Sequence, residues 1–161
     1  MKNKIRKAKK EDIPVVVGLW KELKEYHVRI NTKEDSFFYK HKKSAADIWK
    51  IFLEKNISHK KSLVLVAYQD NKLIAYTISI IKENIPIFNI GRYGQITDLY
   101  VKKEYRGQGI GKELINQSKK FFKTNKLKFM ELTVSHNNHQ SIKFYQKYGF
   151  KESLKRMRVK I

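Results

Sequence analysis

The spacing of apolar residues predicts a helix near the start of the chain. Val16, Leu19, Trp20 and Leu23 fall on one face at helical spacing within the stretch PVVVGLWKELKEYHV. Carboxylates suit a helix N-terminus, so we expect this helix to begin near Glu11-Asp12. The residues before it, KIRKAKKED, predict a short first strand.

A second helix is predicted over SAADIWKIFLEKNI, with Ser44 as its N-cap. Ile48, Ile51 and Phe52 would form its buried stripe. The stretch between the two helices, NTKEDSFFYKHKK, is polar and aromatic and predicts a loop.

The hydrophobic period then changes to that of strands. SLVLVAYQDNKLIAYTISII holds two β-rich runs around QDNK and predicts a hairpin, and GQITDLYV predicts the next strand. A third helix is expected from about Gly109 to Thr124, followed by a strand over LKFMELTV. NNHQSIKFYQKYGF predicts a short helix that Gly149 ends, and KRMRVKI predicts a last strand. This order, β-α-α-β-β-β-α-β-α-β, indicates a mixed α/β fold with a partly antiparallel sheet. The residues expected to point inward from the third helix are Leu114, Ile115, Phe121 and Phe122.

Composition narrows the class of protein. The 161 residues predict one domain over 1–161, and 36 Lys and Arg against 15 Asp and Glu give a formal charge of +21. The lysines are spread along the whole chain, which favours a solvated basic surface over nucleic-acid binding. In either case the field should attract an anionic ligand such as a nucleotide cofactor.

Targeting and redox signals are weak in this sequence. It contains no cysteine, which excludes disulfides, thiolate chemistry and Cys-based zinc sites. No apolar run approaches the ~18 residues that would span a membrane, and the basic N-terminus lacks the apolar segment of a signal peptide. We therefore expect a cytoplasmic protein with no membrane partner.

A glycine-rich stretch, DLYVKKEYRGQGIGKEL, connects a predicted strand to the third helix. The first-turn N–H groups of such a helix lack intrahelical partners, and glycines would let a phosphate reach them. The spacing G-x-G-x-G differs from the dinucleotide fingerprint G-x-G-x-x-G. It also differs from the nucleotide P-loop, because Gly107 and Gly111 are too close together and Lys112 is followed by Glu. An anion site of another kind is predicted here.

Two motifs in order carry a resemblance to a known family. Arg106-Gly107-Gln108-Gly109-Ile110-Gly111 resembles the [RQ]-x-x-G-x-[GA] pyrophosphate loop of the GNAT acetyltransferases. LTVSHNNHQSIKFYQKYGF resembles the family's second signature. The positions matched in it are Leu132, Val134, Asn138, Ser141, Phe144, Tyr145, Gly149 and Phe150.

The resemblance implies the GNAT fold, a mixed, mostly antiparallel sheet with splayed central strands flanked by helices. It implies acetyl-CoA as co-substrate and no metal, with the pantetheine arm held between ITDLYV and FMELTV. The backbone of Leu99 and Val101 would hold the pantetheine, and the N–H groups from Gly107 to Lys112 would hold the pyrophosphate. The full set of cofactor contacts implied is Leu99, Tyr100, Val101, Arg106, Gly107, Gln108, Gly109, Ile110, Gly111, Lys112, Asn138 and Tyr145.

The implied reaction is transfer of an acetyl group to an amine. The amine must be neutral, the thioester carbonyl polarised and the leaving thiolate stabilised. Tyr145 stands where the family places its general acid. The base is open: Asp98 is the only ionised side chain in its strand, while Gln95, at the position matching the base of histone-type relatives, cannot titrate. His136, or water ending at Asp98 or His136, is the other candidate acceptor of the proton.

The acceptor site is expected between the first two helices, from Tyr26, His27, Phe37, Phe38 and Tyr39. These residues do not identify the acceptor, and a small amine, a peptide N-terminus and a lysine all remain open. The alternative to an enzyme is a non-catalytic basic module with the same fold, associated with nucleic acid. Nucleic acid is not the partner we expect, and the oligomeric state, a homodimer included, is left open.

Overall fold

The computed structural model describes residues 4–32 and 39–159. The described residues form five strands: β1 (Lys4–Lys7), β2 (Ser62–Gln69), β3 (Lys72–Glu83), β4 (Arg92–Val101) and β5 (Met130–Leu132). The same part of the chain forms four α-helices: α1 (Ile13–Ile30), α2 (Ala45–Ser58), α3 (Ile110–Thr124) and α4 (His139–Lys147). Short 3₁₀ turns at Lys10–Asp12 and Lys103–Tyr105 precede α1 and follow β4. This is the mixed α/β architecture predicted for the GNAT fold.

The five strands form one sheet in the order β1-β2-β3-β4-β5. The first three neighbouring pairs are antiparallel, and β4 pairs with β5 in parallel. The predicted hairpin is confirmed as β2 and β3, joined at Asp70 and Asn71, whose φ angles are 49° and 60°. Two consecutive positive φ values are typical of the type I′ turn that matches the twist of paired strands.

Each face of the sheet carries its own core. On one face, α1 and α2 pack on residues such as Val66, Tyr76 and Ile78. On the other face, α3 packs through Leu114 and Ile115, both fully buried. Of the residues predicted to point inward from α3, Phe122 is also buried and Phe121 is partly buried. The site described below is built around β4, in the sheet between these two layers of helices.

The first ion pair in the chain fastens β1 to the start of α1. Asp12 is 5% exposed and accepts hydrogen bonds from Arg6 at 2.7 and 2.9 Å, from the Lys9 backbone N–H at 2.7 Å and from Tyr68. Burial opposes the charge on Asp12, but the hydrogen bonds outweigh it and lower its pKa to about 2.

Two predictions about the helices and strands are wrong in detail. Ile48 and Ile51 of α2 are 58% and 68% exposed, while Leu53 is fully buried. Trp49 stacks on Trp20 with ring centroids 5.0 Å apart, and this contact turns the helix so that Trp49, Phe52 and Leu53 face the core. Ser44 does stand at the N-cap but makes no side-chain capping bond.

The last strand predicted over KRMRVKI is absent from the described part of the chain. Residues 151–159 are exposed and belong to no strand or helix, and residues 160–161 lie outside the description. Alternating apolar and basic residues predict a strand there, but Met157 and Val159 are 92% and 84% exposed, and the described chain pairs no strand with this segment. Among the described residues, no helix has the length and apolar character needed to cross a membrane.

Candidate active site

The strands β4 and β5 pair only at their beginnings and then separate. Parallel pairing runs from Gly94↔Met130 to Ile96↔Leu132, whereas β4 continues to Val101. From Thr97 onward β4 therefore has no β5 partner on that edge. Backbone hydrogen-bonding groups in an unpaired edge of this kind can bind an extended ligand as an added strand. The Val101 carbonyl accepts a hydrogen bond from Arg106 Nε at 2.9 Å.

A bulge in β4 sets the direction of the side chains in this gap. The register with β3 passes from Ile96↔Ser79 to Asp98↔Ile78, so Thr97 is the extra residue. An extra residue changes the alternation of side chains between the two faces. Leu99 consequently packs with the α3 layer, and Asp98 lies on the same face as Tyr100, toward α1.

The glycine loop lies at the end of β4, before α3. Gly107 and Gly109 both have φ of +80°, a left-handed conformation that side chains rarely adopt. Gly109 is also the N-cap of α3, and it offers no side chain to the free N–H groups of the first turn. A cleft of about 310 Å³ opens here, lined in part by Gln108, Gly109 and Ile110. The loop therefore has the geometry of an anion site at a helix N-terminus.

Gly111 has a different reason to be glycine. A Cβ built on Gly111 would lie 2.9 Å from Cζ of Phe144, on α4. Its φ angle is an ordinary one, and the obstacle is a ring rather than strained backbone. The sequence predicts that all three glycines admit a phosphate, and the structure adds a packing role for Gly111 between α3 and α4.

Asp98 is a partly buried carboxylate surrounded by tyrosines. Tyr76, which is fully buried, lies with its hydroxyl 3.4 Å from Asp98 Oδ1. Burial raises the pKa of Asp98, and this is opposed by the positive charge of Lys24 and by hydrogen bonds from Thr97 and Tyr76. A carboxylate with a raised pKa, close to a cation, suits the acceptance of a proton from an amine.

Tyr145 extends from α4 into the cluster that also contains Phe144 and Phe150. Burial raises its pKa to about 12, and the negative charge of Asp98 adds to the effect. The interaction with Asp98 brings the two predicted catalytic residues to one site from different elements. The phenol stays protonated at neutral pH, so it can donate a hydrogen bond.

Asn138 and α1 close one side of the gap. The Asn138 side-chain oxygen accepts from the Ser141 N–H at 3.2 Å, capping α4, and from the Tyr26 hydroxyl at 3.1 Å. The Arg106 guanidinium lies 5.6 Å from the centroid of the Tyr26 ring. Tyr26, predicted from the sequence to line the acceptor site, thus also contacts two residues expected to bind the cofactor. Asn31, just past α1, accepts from Ser135 at 2.8 Å and from Asn137 at 3.2 Å.

The remaining predicted site residues are spread more widely. Gln95 donates to Glu131 at 3.2 Å, and His136 is exposed in the loop before α4. His27 and Tyr39 approach each other with ring centroids 5.8 Å apart, as expected of one acceptor wall. Phe37 and Phe38 lie outside the described residues. Lys112 is exposed at the start of α3.

Lys24 and Tyr76 were not identified from the sequence as candidate site residues. Lys24 lies one turn after Trp20 on α1, which places a lysine beside the buried stripe, and this spacing was a usable signal. Tyr76 lies in a run of buried strand residues and carried no such signal. Within the described residues no group of three or more His, Cys, Asp or Glu side chains could hold a metal ion.

Comparisons with known proteins agree with this geometry. The model of the acetyltransferase (GNAT) family matches residues 20–150. An uncharacterized N-acetyltransferase of Archaeoglobus fulgidus is 27% identical over 141 residues, covering 88% of each chain.

Two solved structures share the fold. A predicted acetyltransferase from Clostridium acetobutylicum, solved with acetyl-CoA, is 19% identical with a TM-score of 0.77, covering 99% of this chain and 96% of that one. The enzyme AAC(6')-Iy, solved with the bisubstrate analogue CoA-S-monomethyl-acetylneamine, is 18% identical with a TM-score of 0.76, covering 100% of this chain and 99% of that one. At these identities the likeness concerns the fold.

Proposed function

This chain is an acyltransferase of the acetyltransferase (GNAT) family, and we propose that it transfers the acetyl group of acetyl-CoA directly to a primary amine. The observation that carries the proposal is the gap between β4 and β5. Asp98 and Tyr145 lie close enough there for the charge of Asp98 to act on Tyr145, and the glycine loop lies at the end of β4. An extended ligand with an anionic end fits this arrangement. Its arm would lie along the unpaired edge of β4 and its pyrophosphate would meet the N-terminus of α3.

The residues proposed to hold acetyl-CoA come from three elements. Leu99 and Val101 would bind the pantetheine through the backbone, beside Tyr100. The residues from Arg106 to Lys112 would bind the pyrophosphate, mainly through N–H groups. Arg106 would have to release the Val101 carbonyl, or share it, when an extended ligand pairs with β4. Asn138 would contribute its side-chain amide, since its oxygen already caps α4.

Bound acetyl-CoA would supply an activated acetyl thioester. Asp98 would take the proton that the amine loses as the new N–C bond forms, or would anchor the ammonium before it loses a proton and becomes the neutral nucleophile. A backbone N–H of β4 would polarise the carbonyl, and Tyr145 would donate a hydrogen bond to the sulfur as the C–S bond breaks. With a pKa of about 12, Tyr145 is a weaker acid than a thiol at about 8.5, so a hydrogen bond to the thiolate is favoured over full proton transfer.

The test begins with acetyl-CoA binding by calorimetry. Replacing Gly109 by Leu should remove most of the affinity, because the new side chain would occupy the approach to the N–H groups of α3. Gly149→Leu is a matched control, because Gly149 also has a positive φ, +86°, and open space around its Cβ. It should carry a similar strain without touching the loop. Unchanged affinity in Gly109→Leu would refute the loop assignment.

Activity is then measured as release of free CoA thiol with a panel of primary amines, and the acetylated product is identified by mass spectrometry. Acetyl-CoA binding should weaken as salt rises, since phosphates would meet a cationic site. Acetyl-CoA binding without acetylation of any amine in the panel would refute the transferase proposal and leave a binding function.

A further inference from the structure

A second cleft, of about 470 Å³, lies between α1 and the residues that lead into α2. Its charged lining is strongly unequal. Among the residues that the structure describes, five cations line it against one carboxylate, Glu25, and they are Lys21, Lys24, Arg29, Lys42 and Lys43. His41 also lines it, and Trp20 forms part of its apolar wall.

Lys24 is the innermost of these cations. Its side chain is half-buried, and its ammonium lies 5.2 Å from the centroid of the Trp20 ring. Lys24 forms no ion pair with any other residue of 4–32 or 39–159. Burial lowers its pKa, and the charge of Asp98 opposes the effect. An ammonium that is partly desolvated and unpaired favours an anionic ligand.

Two histidines report the same positive field. Burial lowers the pKa of His27 to about 4, and the charges of Lys24 and His41 lower it further. His41 follows the same pattern, with burial first and Lys24 second. Both imidazoles are therefore neutral near pH 7, and the charge of Lys24 contributes to keeping them neutral.

Packed aromatic rings connect the wall of the cleft with the proposed reaction centre. Trp20 stacks on Trp49 at 5.0 Å, Trp49 meets the Tyr76 ring at 5.9 Å, and the Tyr76 hydroxyl lies 3.4 Å from Asp98 Oδ1. Lys24 faces both the cleft and Asp98. An acceptor with its amine at Asp98 would therefore place the rest of its structure beside Lys24 and the tryptophans.

We propose that the acceptor is a primary amine that also carries an anionic group, a carboxylate or a phosphate, and that Lys24 binds this group in the α1 cleft. The inference rests on the proposed acetyl transfer, with Asp98 at the amine. An acceptor of this class satisfies both ends of the site, because its ammonium meets the Asp98 carboxylate and its anion meets the Lys24 ammonium. A polycationic amine would place extra ammonium groups among the lysines, where like charges repel.

The experiment compares matched amines that differ in the anion. Tryptophan is compared with tryptamine and phosphoethanolamine with ethanolamine, and an aminoglycoside serves as the polycation. With saturating acetyl-CoA, we expect the anionic member of at least one pair to have a roughly tenfold or greater advantage in kcat/KM. The advantage should shrink as salt rises. The two pairs distinguish a carboxylate from a phosphate.

Three variants separate Lys24 from the charge of the whole protein. Lys24→Gln should abolish the advantage mainly by raising KM for the anionic amine, with KM for acetyl-CoA unchanged. Lys24→Arg should keep it. Lys60→Gln removes one charge at an exposed site after α2 and should leave the preference intact. The wild-type protein alone can overturn the inference. It would do so by using both members of each pair equally or by preferring the aminoglycoside.

These outcomes are distinguishable from failure of the function itself. If neutral or polycationic amines are acetylated best, the transferase proposal stands and the acceptor class is wrong. If no amine is acetylated although acetyl-CoA binds, both proposals fall.

Discussion

Replacing Gly111 by Ala should reveal why the third glycine of the loop is present. The new Cβ would lie 2.9 Å from Phe144 Cζ, about 0.5 Å short of the 3.4 Å at which ordinary contact begins. The ring belongs to α4, so relief requires the ring or the helix to move. Overpacking of this kind costs about 1–3 kcal/mol, and the better helix propensity of Ala returns up to about 1 kcal/mol. We expect a net loss of roughly 1 kcal/mol in the free energy of unfolding.

A double-mutant cycle with Phe144→Leu isolates the contact. The ring atoms nearest the new Cβ, Cζ and both Cε atoms, have no counterpart in leucine. In the Phe144→Leu background Gly111→Ala should be neutral or stabilising, which gives a coupling energy of about 1–2 kcal/mol. Urea unfolding measures stability, and calorimetry with acetyl-CoA follows the ligand. If the effects of the two substitutions on stability are additive, the packing explanation is wrong. If Gly111→Ala lowers acetyl-CoA affinity and Phe144→Leu does not restore it, then Gly111 serves the ligand.

Three further perturbations test other parts of the site and fold. Tyr145→Phe removes only the hydroxyl, so acetyl-CoA should bind normally while kcat falls by roughly 10²-fold; an unchanged kcat would leave Tyr145 as a packing residue. Burial raises the pKa of Asp98, so its ionised form is lost on acidification at a higher pH than for an ordinary Asp, and wild-type kcat/KM should fall there. In Asp98→Asn, recovery of kcat/KM at high pH would identify a base, a raised KM that persists would identify an anchor, and full activity at pH 7 would exclude both. The lowering of the Asp12 pKa from 3.8 to about 2 corresponds to roughly 2 kcal/mol of stability above pH 4, lost as pH falls through 2. Urea unfolding of Asp12→Asn should show that loss of stability at pH 7. The control Asp47→Asn, at an exposed position, should not show it. An equal loss in the two variants would contradict the ion-pair account.

Hydrophobic periodicity was sufficient for most of the fold. α1, the β2–β3 hairpin and α3 were predicted close to their observed positions, because each presents a clear period of helix or strand along one buried face. The rotation of α2 was missed because it depends on the stacking of Trp49 on Trp20. These two residues are far apart in the sequence. The final strand was predicted from alternation alone, which carries no information on whether a neighbouring strand exists.

The candidate site was predicted in its composition more fully than in its geometry. The glycine loop, Asp98 and Tyr145 came from motifs, since those motifs are local. The contacts of Tyr26 with Asn138 and Arg106 join residues far apart in the chain, so no local pattern could indicate them. The same holds for Lys24, whose importance comes from its charge interaction with Asp98, a residue far from it in the chain.

Thr97, the extra residue in β4, constrains which sequence changes this position can accept. Thr97 is exposed, so many side chains could replace it with little effect on packing. Its deletion would instead shift the alternation on one side of the bulge and turn either Asp98 or the beginning of β4 to the opposite layer. We expect this position to reject deletions and to tolerate substitutions that keep the hydrogen bond to Asp98, so that selection acts on the length of the strand as well as on the inserted residue.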